Sequence, residues 1–398
     1  MRLLKMTAIL IVLILTVGMG TAIAAENSEG NFIEIRTIED FDLIRNNLFE
    51  NYKLMNDLNF NETTLEGWKS IDNEEGFTGC FDGNGKTIYN FSASTSWYSH
   101  DVGGFFKVIE ENGSVKNLTF ENALVSGDQS AGILAGVNYG KIKNCHSLNS
   151  ESISRMCAGG LVGLNIQGEI INCSSSGTVS SERAGGLVGS NNNGKIKNCT
   201  SSAEVNGSFV AGGITANNAN DKSDIWNCYS EGTVKSTGFA GGIAGTNYGG
   251  KIEYCYSTSR LPEKSQVAGG IAGAGKDEVS EVSNCVSINE EINGIRRISL
   301  EKDSETDRFP KLKIGGRSYI GRVMGSTEQM PIDCFAWDQI ETNKFRLNGD
   351  NGNVTEGTEI WNTFPNGVWS GWDEEVWEIG VDGLPSLKWE KSENPNAV

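Results

Sequence analysis

The sequence predicts an all-β fold: a right-handed parallel β-helix, a solenoid with a short N-terminal helical cap and a C-terminal cap. Three observations carry this expectation. A block of the form Ala-Gly-Gly-apolar-x-Gly recurs at 158–163, 184–189, 240–245 and 268–273. A copy at 211–216 ends in Ala, and a weaker copy lies at 131–136. Each block is followed by a second one ending in Cys145, Cys173, Cys199, Cys228, Cys255 or Cys285, with spacings of 28, 26, 29, 27 and 30 residues. Finally, Gly makes up 50 of 398 residues and Pro only six, which fits many regular tight turns better than a floppy linker.

Each repeat holds two or three short apolar beats split by Gly, Asn and Ser. None is long enough for a helix, and each suits a strand of a few residues. Three strands in about 27 residues make one solenoid coil, with each strand pairing with its equivalent one coil on. The L-x-x-L-x-L spacing of a leucine-rich repeat is absent, and a propeller blade needs about 40 residues. Coils stack about 4.8 Å apart, the strand spacing. Right-handedness follows from the crossover preference of parallel strands.

In chain order, residues 1–25 read as a cleaved export signal. Arg2 and Lys5 are followed by an apolar run over 7–18 and by Ala22-Ile23-Ala24. No Cys follows the run, and no second apolar stretch reaches spanning length. The mature chain is therefore expected to be secreted or at the cell surface, with no lipid site, membrane-spanning segment or C-terminal anchor. Residues 26–100 read as the N-terminal cap and first coils. Thr37 is the expected N-cap of a helix whose apolar stripe is Ile38, Phe41, Ile44 and Leu48. Residues 101–294 are the coils, beginning with a degenerate one (101–127) that has Leu118 in the cysteine slot. Residues 295–337 read as a charged loop (295–313) and a last irregular coil. Residues 338–398 are expected to close the C-terminal end, with Trp361, Trp369, Trp372, Trp377 and Trp389 covering the core there rather than stacking sugars.

The Ala-Gly-Gly block followed by Ile-x-Asn-Cys and a small polar pair closely resembles the GLUG repeat of prokaryotic secreted proteins. The flanks at 52–57, 77–88 and 377–389 resemble that family's lead-in and ending. The resemblance implies a surface or adhesin-like β-helix. It also implies a link to some bacterial immunoglobulin A metallopeptidases, in which such repeats lie beside the catalytic region. This chain departs from the pattern at Cys80, Ile133 and Tyr254.

Charge narrows the functions. With 33 basic against 51 acidic residues the net charge is −18, which excludes nucleic-acid backbones and anionic membrane surfaces as natural partners. Only two His residues occur, His100 and His146, and H-E-x-x-H is absent, so the chain is not a zinc metallopeptidase. No C-x-x-C, G-x-S-x-G or P-loop motif appears, and no cofactor or metal is expected. The six in-register cysteines read as small apolar side chains stacked inside the solenoid and mostly unbridged. Asn144, Asn172, Asn198, Asn227 and Asn284, each just before a Cys, suit a left-handed bend and can stack amide on amide. Asn172 and Asn198 also start N-x-S/T sequons, but a ladder position leaves no room for a glycan. Asn61, Asn90, Asn112, Asn117, Asn206 and Asn353 read as freer sequons. Lys141, Glu169, Lys195, Asp224 and Lys251 share one slot that reads as a solvated face.

Asp221, Asp224, Asp277 and Glu278 form the best acidic cluster. They read as turn carboxylates, with a catalytic or Ca²⁺ role as the sharper alternative. The chain thus reads as a non-catalytic extracellular or cell-surface module with an adhesin-like binding or structural role, and an extracellular glycan or surface protein as partner. One alternative is a polysaccharide-active lyase or glycosidase. The other is the remnant of a peptidase-associated region.

Overall fold

The computed structural model describes residues 31–62, 68–72, 76–95, 101–276, 280–289 and 291–294. Beyond these it describes 298–301, 311–314, 319–321, 324–326, 335–336, 341–342, 353–354, 369, 371–379 and 384–393. The expected export signal lies outside the described residues.

Strands dominate, and parallel sheets form a β-solenoid of about eight turns. The turns can be counted in one eight-stranded sheet. It runs from Phe106–Ile109 through Ala135–Asn138, Val162–Ile166, Val188–Asn192, Thr215–Ala219, Ala244–Tyr248 and Ala272–Lys276 to Met324–Ser326. Each strand pairs in parallel with its equivalent in the next coil. The register is strict elsewhere too. Ile142, Ile170, Ile196, Ile225, Ile252 and Val282 face one another in succession, and all are at most 3% exposed. The residue before each points outward, because successive strand side chains alternate faces.

That outward row is ordered rather than merely variable. Lys141, Glu169, Lys195, Asp224, Lys251 and Glu281 lie side by side, so charge alternates along the axis. Ion pairs of 3.9 Å (Lys141–Glu169), 3.7 Å (Lys195–Glu169) and 3.3 Å (Lys251–Glu281) result. These partly exposed pairs stabilise little individually, but like charges in direct opposition would repel.

The block glycines follow from coil spacing. A Cβ on Gly186 would stand 2.0 Å from the Gly213 carbonyl oxygen and 2.3 Å from the Ser201 hydroxyl. The backbone passes too close to the next coil for any side chain.

The N-terminal end is plugged by aromatics. A helix at Phe41–Asn46 buries Phe41 and Ile44. The Phe41 ring packs edge-on against Trp68 and Phe105, at 5.3 and 5.0 Å. Ile38 and Leu48 are buried with them, completing the expected stripe. The start of the helix differs from the expectation. Asp40, not Thr37, occupies the N-cap position. Its carboxylate accepts from the backbone N–H of Arg36 (2.8 Å) and Thr37 (2.9 Å), forming a turn before the helix. These bonds, led by the one from Arg36, hold the Asp40 pKa below the ordinary carboxylate range.

A further correction concerns the second half. The stretch expected as a loop contains Ile298–Glu301 paired antiparallel with Lys311–Ile314. Both arms alternate apolar and polar residues, a strand period masked by the charge of the stretch. The coil path then resumes. Tyr319–Gly321 pairs with Val267–Gly269, and Phe335–Ala336 with Val286–Ser287.

The described C-terminal residues from 369 onward pack along the flank of the solenoid. Trp377–Ile379 and Pro385–Leu387 pair antiparallel, and a short helix, Lys388–Glu393, follows. Trp372, Trp377 and Leu387 form a second apolar cluster with Tyr229, Tyr256 and Val286, separate from the main core. The reason is local. Several coils carry a large side chain after the cysteine, and these line up on one outer face for the tryptophans to cover. Trp361 lies outside the described residues. No helix among the described residues is long and apolar enough to cross a membrane.

Candidate binding groove

The six repeat cysteines are buried. Each thiol donates to the carbonyl oxygen two residues earlier, at 3.4, 3.2, 3.0, 3.3, 3.2 and 3.2 Å from Cys145 to Cys285. A thiol packs as a small hydrophobe yet gives that inward carbonyl a weak donor, which Val or Ala cannot. Burial pushes the Cys199 and Cys255 thiols well above their ordinary range. Such thiols are poor nucleophiles. Cys334 lies outside the described residues.

The bend before each cysteine is left-handed. Asn117, Asn144, Asn172, Asn198, Asn227 and Asn284 have φ between 52° and 55°. The amides of the first five form a chain. Asn144 donates to Asn117 (3.0 Å), Asn172 to Asn144 (3.2 Å), Asn198 to Asn172 (3.2 Å) and Asn227 to Asn198 (3.3 Å). Asn117, expected as a freer sequon, is part of this ladder and donates to Asp82 as well. Asn90 likewise has a left-handed φ of 56° and donates to Asn59. At Tyr254 the sequence departs from Asn but the backbone does not. Its φ is 51°, and its ring stacks against Trp226 at 6.2 Å.

A second asparagine ladder escaped the sequence reading. Asn138, Asn165, Asn191, Asn218 and Asn247 are fully buried and donate successively at 2.8, 2.8, 2.9 and 2.9 Å. Most also bond a nearby carbonyl in their own turn, for instance Asn191 to Gly194 at 2.9 Å. The signal was present: each lies seven residues after the first Ala of its block.

Of the acidic cluster, Asp221 and Asp224 fall among the described residues. Asp221 is exposed in a turn, whereas Asp224 belongs to the alternating charge row between Lys195 and Lys251. Asp277 and Glu278 lie outside the described residues.

A concavity lies at the bend preceding the Ala-Gly-Gly block. Four successive coils each contribute a triplet: 153–155, 180–182, 206–208 and 235–237. Together they line an open groove of about 540 Å³. The sequence changes at every coil: Ile-Ser-Arg, Ser-Ser-Glu, Asn-Gly-Ser, Lys-Ser-Thr. Arg155 pairs at 2.6 Å with Asp128, whose side chain is fully buried. Glu182 pairs with Arg183 at 3.4 Å, and Lys235 with Glu204. The Lys235 ammonium, mainly by hydrogen bonding, lowers the Glu204 pKa. Thr237 donates its hydroxyl to the Ser208 carbonyl at 2.9 Å, tying two coils together. Next to these triplets Phe209 is 47% exposed and meets Phe239 edge-on at 5.5 Å.

The flank under the C-terminal strap is by contrast occupied. Trp377 Nε1 donates to Asn227 (3.2 Å) and Trp389 Nε1 to the Asn198 carbonyl (2.9 Å). Tyr229 donates to Glu390 and Tyr256 to the Pro385 carbonyl, both at 2.7 Å. Trp389 stacks on His146 at 5.3 Å. Burial pushes the Glu390 carboxyl up. Burial and, secondarily, the Glu390 charge push the Tyr229 phenol up. The tryptophans are therefore engaged with the protein's own flank.

Comparison with known proteins agrees with the repeat reading. Residues 154–180 and 180–206 match the family model described as the GLUG motif, so the chain carries GLUG-motif repeats. Halomucin of Haloquadratum walsbyi is 32% identical over 158 residues, which is 37% of this chain but 2% of halomucin. The chain thus corresponds to a small part of that relative's length. Among solved structures, one described as a candidate immunoglobulin A1 protease from Bacteroides ovatus aligns with 20% identity and a TM-score of 0.49, over 91% of this chain and 94% of that one. An IgA1 protease structure aligns with 17% identity and a TM-score of 0.45, over 79% of this chain and 22% of that one.

Proposed function

We propose that this GLUG-repeat solenoid is a non-catalytic extracellular or cell-surface module whose adhesin-like binding role is exercised at the changing bend. The observation that carries this reading is the groove itself. It extends over four coils, most of its lining residues are polar or charged, and its triplets differ where the rest of the coil repeats. Solenoids present extended surfaces of this kind, and coil-to-coil variation on one side tunes them for a ligand. The lining fits binding better than glycoside hydrolysis. Hydrolysis uses two carboxylates flanking the bond, whereas Glu182 is the one carboxylate among the groove's described lining residues, and it is paired with Arg183. Export of the mature chain after residue 25 belongs to the same proposal, as does an extracellular glycan or surface protein as partner.

The test combines a glycan array with a reducing-sugar assay on the mature chain. Binding without turnover is expected, and Asp221→Ala, Asp224→Ala and Asp277→Ala should each leave it within a few-fold. Polysaccharide cleavage lost with any one of these substitutions would replace this reading with an enzyme.

A further inference from the structure

Building on the reading of the groove as a binding surface, we propose that its ligand is an uncharged oligosaccharide lying along the solenoid axis, about one sugar per coil. Charge argues first. Each charged lining side chain already has an opposite charge from within the molecule: Arg155 has Asp128, Glu182 has Arg183, and Lys235 has Glu204. A polyanion needs cations that are not already compensated, and the chain's net charge of −18 would repel it at a distance.

Backbone pairing argues next, against a peptide. Extended peptides bind by adding a strand to a free edge. Here Ser180 pairs with both Ile153 and Asn206, and Asn206 with Lys235 as well, so the groove's floor strands are paired along the axis on both sides. The lining also offers groups that both donate and accept, such as the hydroxyls of Ser180 and Ser208 and the amide of Asn206, which bonds Glu204 as well. Sugar hydroxyls have the same dual character.

The rim supplies the apolar contact. Phe209 is 47% exposed and braced edge-on by Phe239 at 5.5 Å, so it offers a fixed apolar surface beside the Ser208 end of the groove. The C–H face of a pyranose can pack on such a ring. Coils repeat about every 4.8 Å, comparable with one pyranose along an extended glycan, so successive sugars can each meet the triplet of one coil.

The test is calorimetric titration of the mature chain with cellohexaose, chitohexaose and mannohexaose, alongside heparin, polygalacturonate and a Ser/Thr-rich peptide. At least one uncharged hexasaccharide is expected to bind. Its affinity should rise from the disaccharide to the tetrasaccharide and then level off. Phe209→Ala should weaken binding about tenfold or more without altering the melting temperature. Ser180→Arg, which fills the groove by a different route, should abolish it. Groove-dependent binding of heparin, polygalacturonate or the peptide, with none by the uncharged sugars, would overturn the ligand class while leaving the groove a binding surface. Saccharide binding indifferent to both substitutions, or no binding across the panel, would overturn the groove reading together with the proposal.

Discussion

Two bends of each coil are built from asparagine in nearly every turn, while a third changes in every turn. The asparagine bends differ from one another in what makes the residue necessary. At the inner bend the amide is fully buried and satisfies both its neighbours and, in most coils, a carbonyl of its own turn. At the bend before cysteine the backbone is left-handed, and the partly buried amides chain at longer distances of 3.0–3.3 Å. The changing bend has neither constraint. Its hydroxyls, amide and charge pairs border open space. Positions that recur do so because neighbouring coils force them, and positions released from that demand are the ones free to recognise a ligand.

The contrast can be broken at several points. The largest effect is expected from Gly186→Ala, because the new Cβ would meet backbone of the next coil at 2.0 Å. Overpacking of this kind costs about 3 kcal/mol or more, to be read as loss of cooperative urea unfolding or a strongly lowered midpoint. Next is Asn191→Ala, which strands the amides of Asn165 and Asn218 and the Gly194 carbonyl. Orphaning buried polar groups in this way costs about 3 kcal/mol.

Asn172 sharpens the comparison, since there the backbone is the reason for asparagine. Asn172→Ala should cost about 1–2 kcal/mol through left-handed strain and lost amide bonds. Asn172→Gly should recover the strain part. A glycine that rescued Asn191 equally well would erase the distinction between the bends.

The smallest effect concerns the strap. Glu390 and Tyr229 both have pKa values raised by burial, so each favours docking in its protonated form. For a raised pKa, that contribution is complete below the ordinary value and fades as pH rises through the folded one. Glu390 should therefore loosen the strap as pH climbs above its ordinary 4.5, and Tyr229 should do so only in strong alkali, above 10. Tryptophan fluorescence should report less strap burial on the basic side of each transition. Glu390→Gln should remove the acid-side step and leave the alkaline one.

Much of this architecture was legible in the sequence, because a fixed spacing is a direct record of a coil. The Asn-Cys pair marks its bend and its slot at once, and the Ile before it marks the core line. The inner ladder went unread for a chemical reason. Asn138, Asn165 and Asn191 stand among other turn-forming residues, where asparagine is ordinary, and only their position relative to the block separates them from Asn192 or Asn193. The groove left no repeat to find, since its triplets differ. Where the strap docks was not legible, because tryptophan spacing reports a demand for burial without naming the surface that meets it. That surface is the row of large residues after the cysteines, Tyr229, Tyr256 and Val286, each assigned to its own coil when read along the chain.

The division between coil-forced and released positions is tested most directly by thermal unfolding of two variants beside the parent, followed by circular dichroism. One carries Asn191→Ala. The other carries Ser180→Ala, Asn206→Ala and Ser208→Ala together. The single inner-bend substitution is expected to lower the melting temperature by several degrees, while the triple groove substitution leaves it within about one degree, as surface changes away from structural features do. Equal losses in the two variants, or a larger one in the groove, would contradict the account.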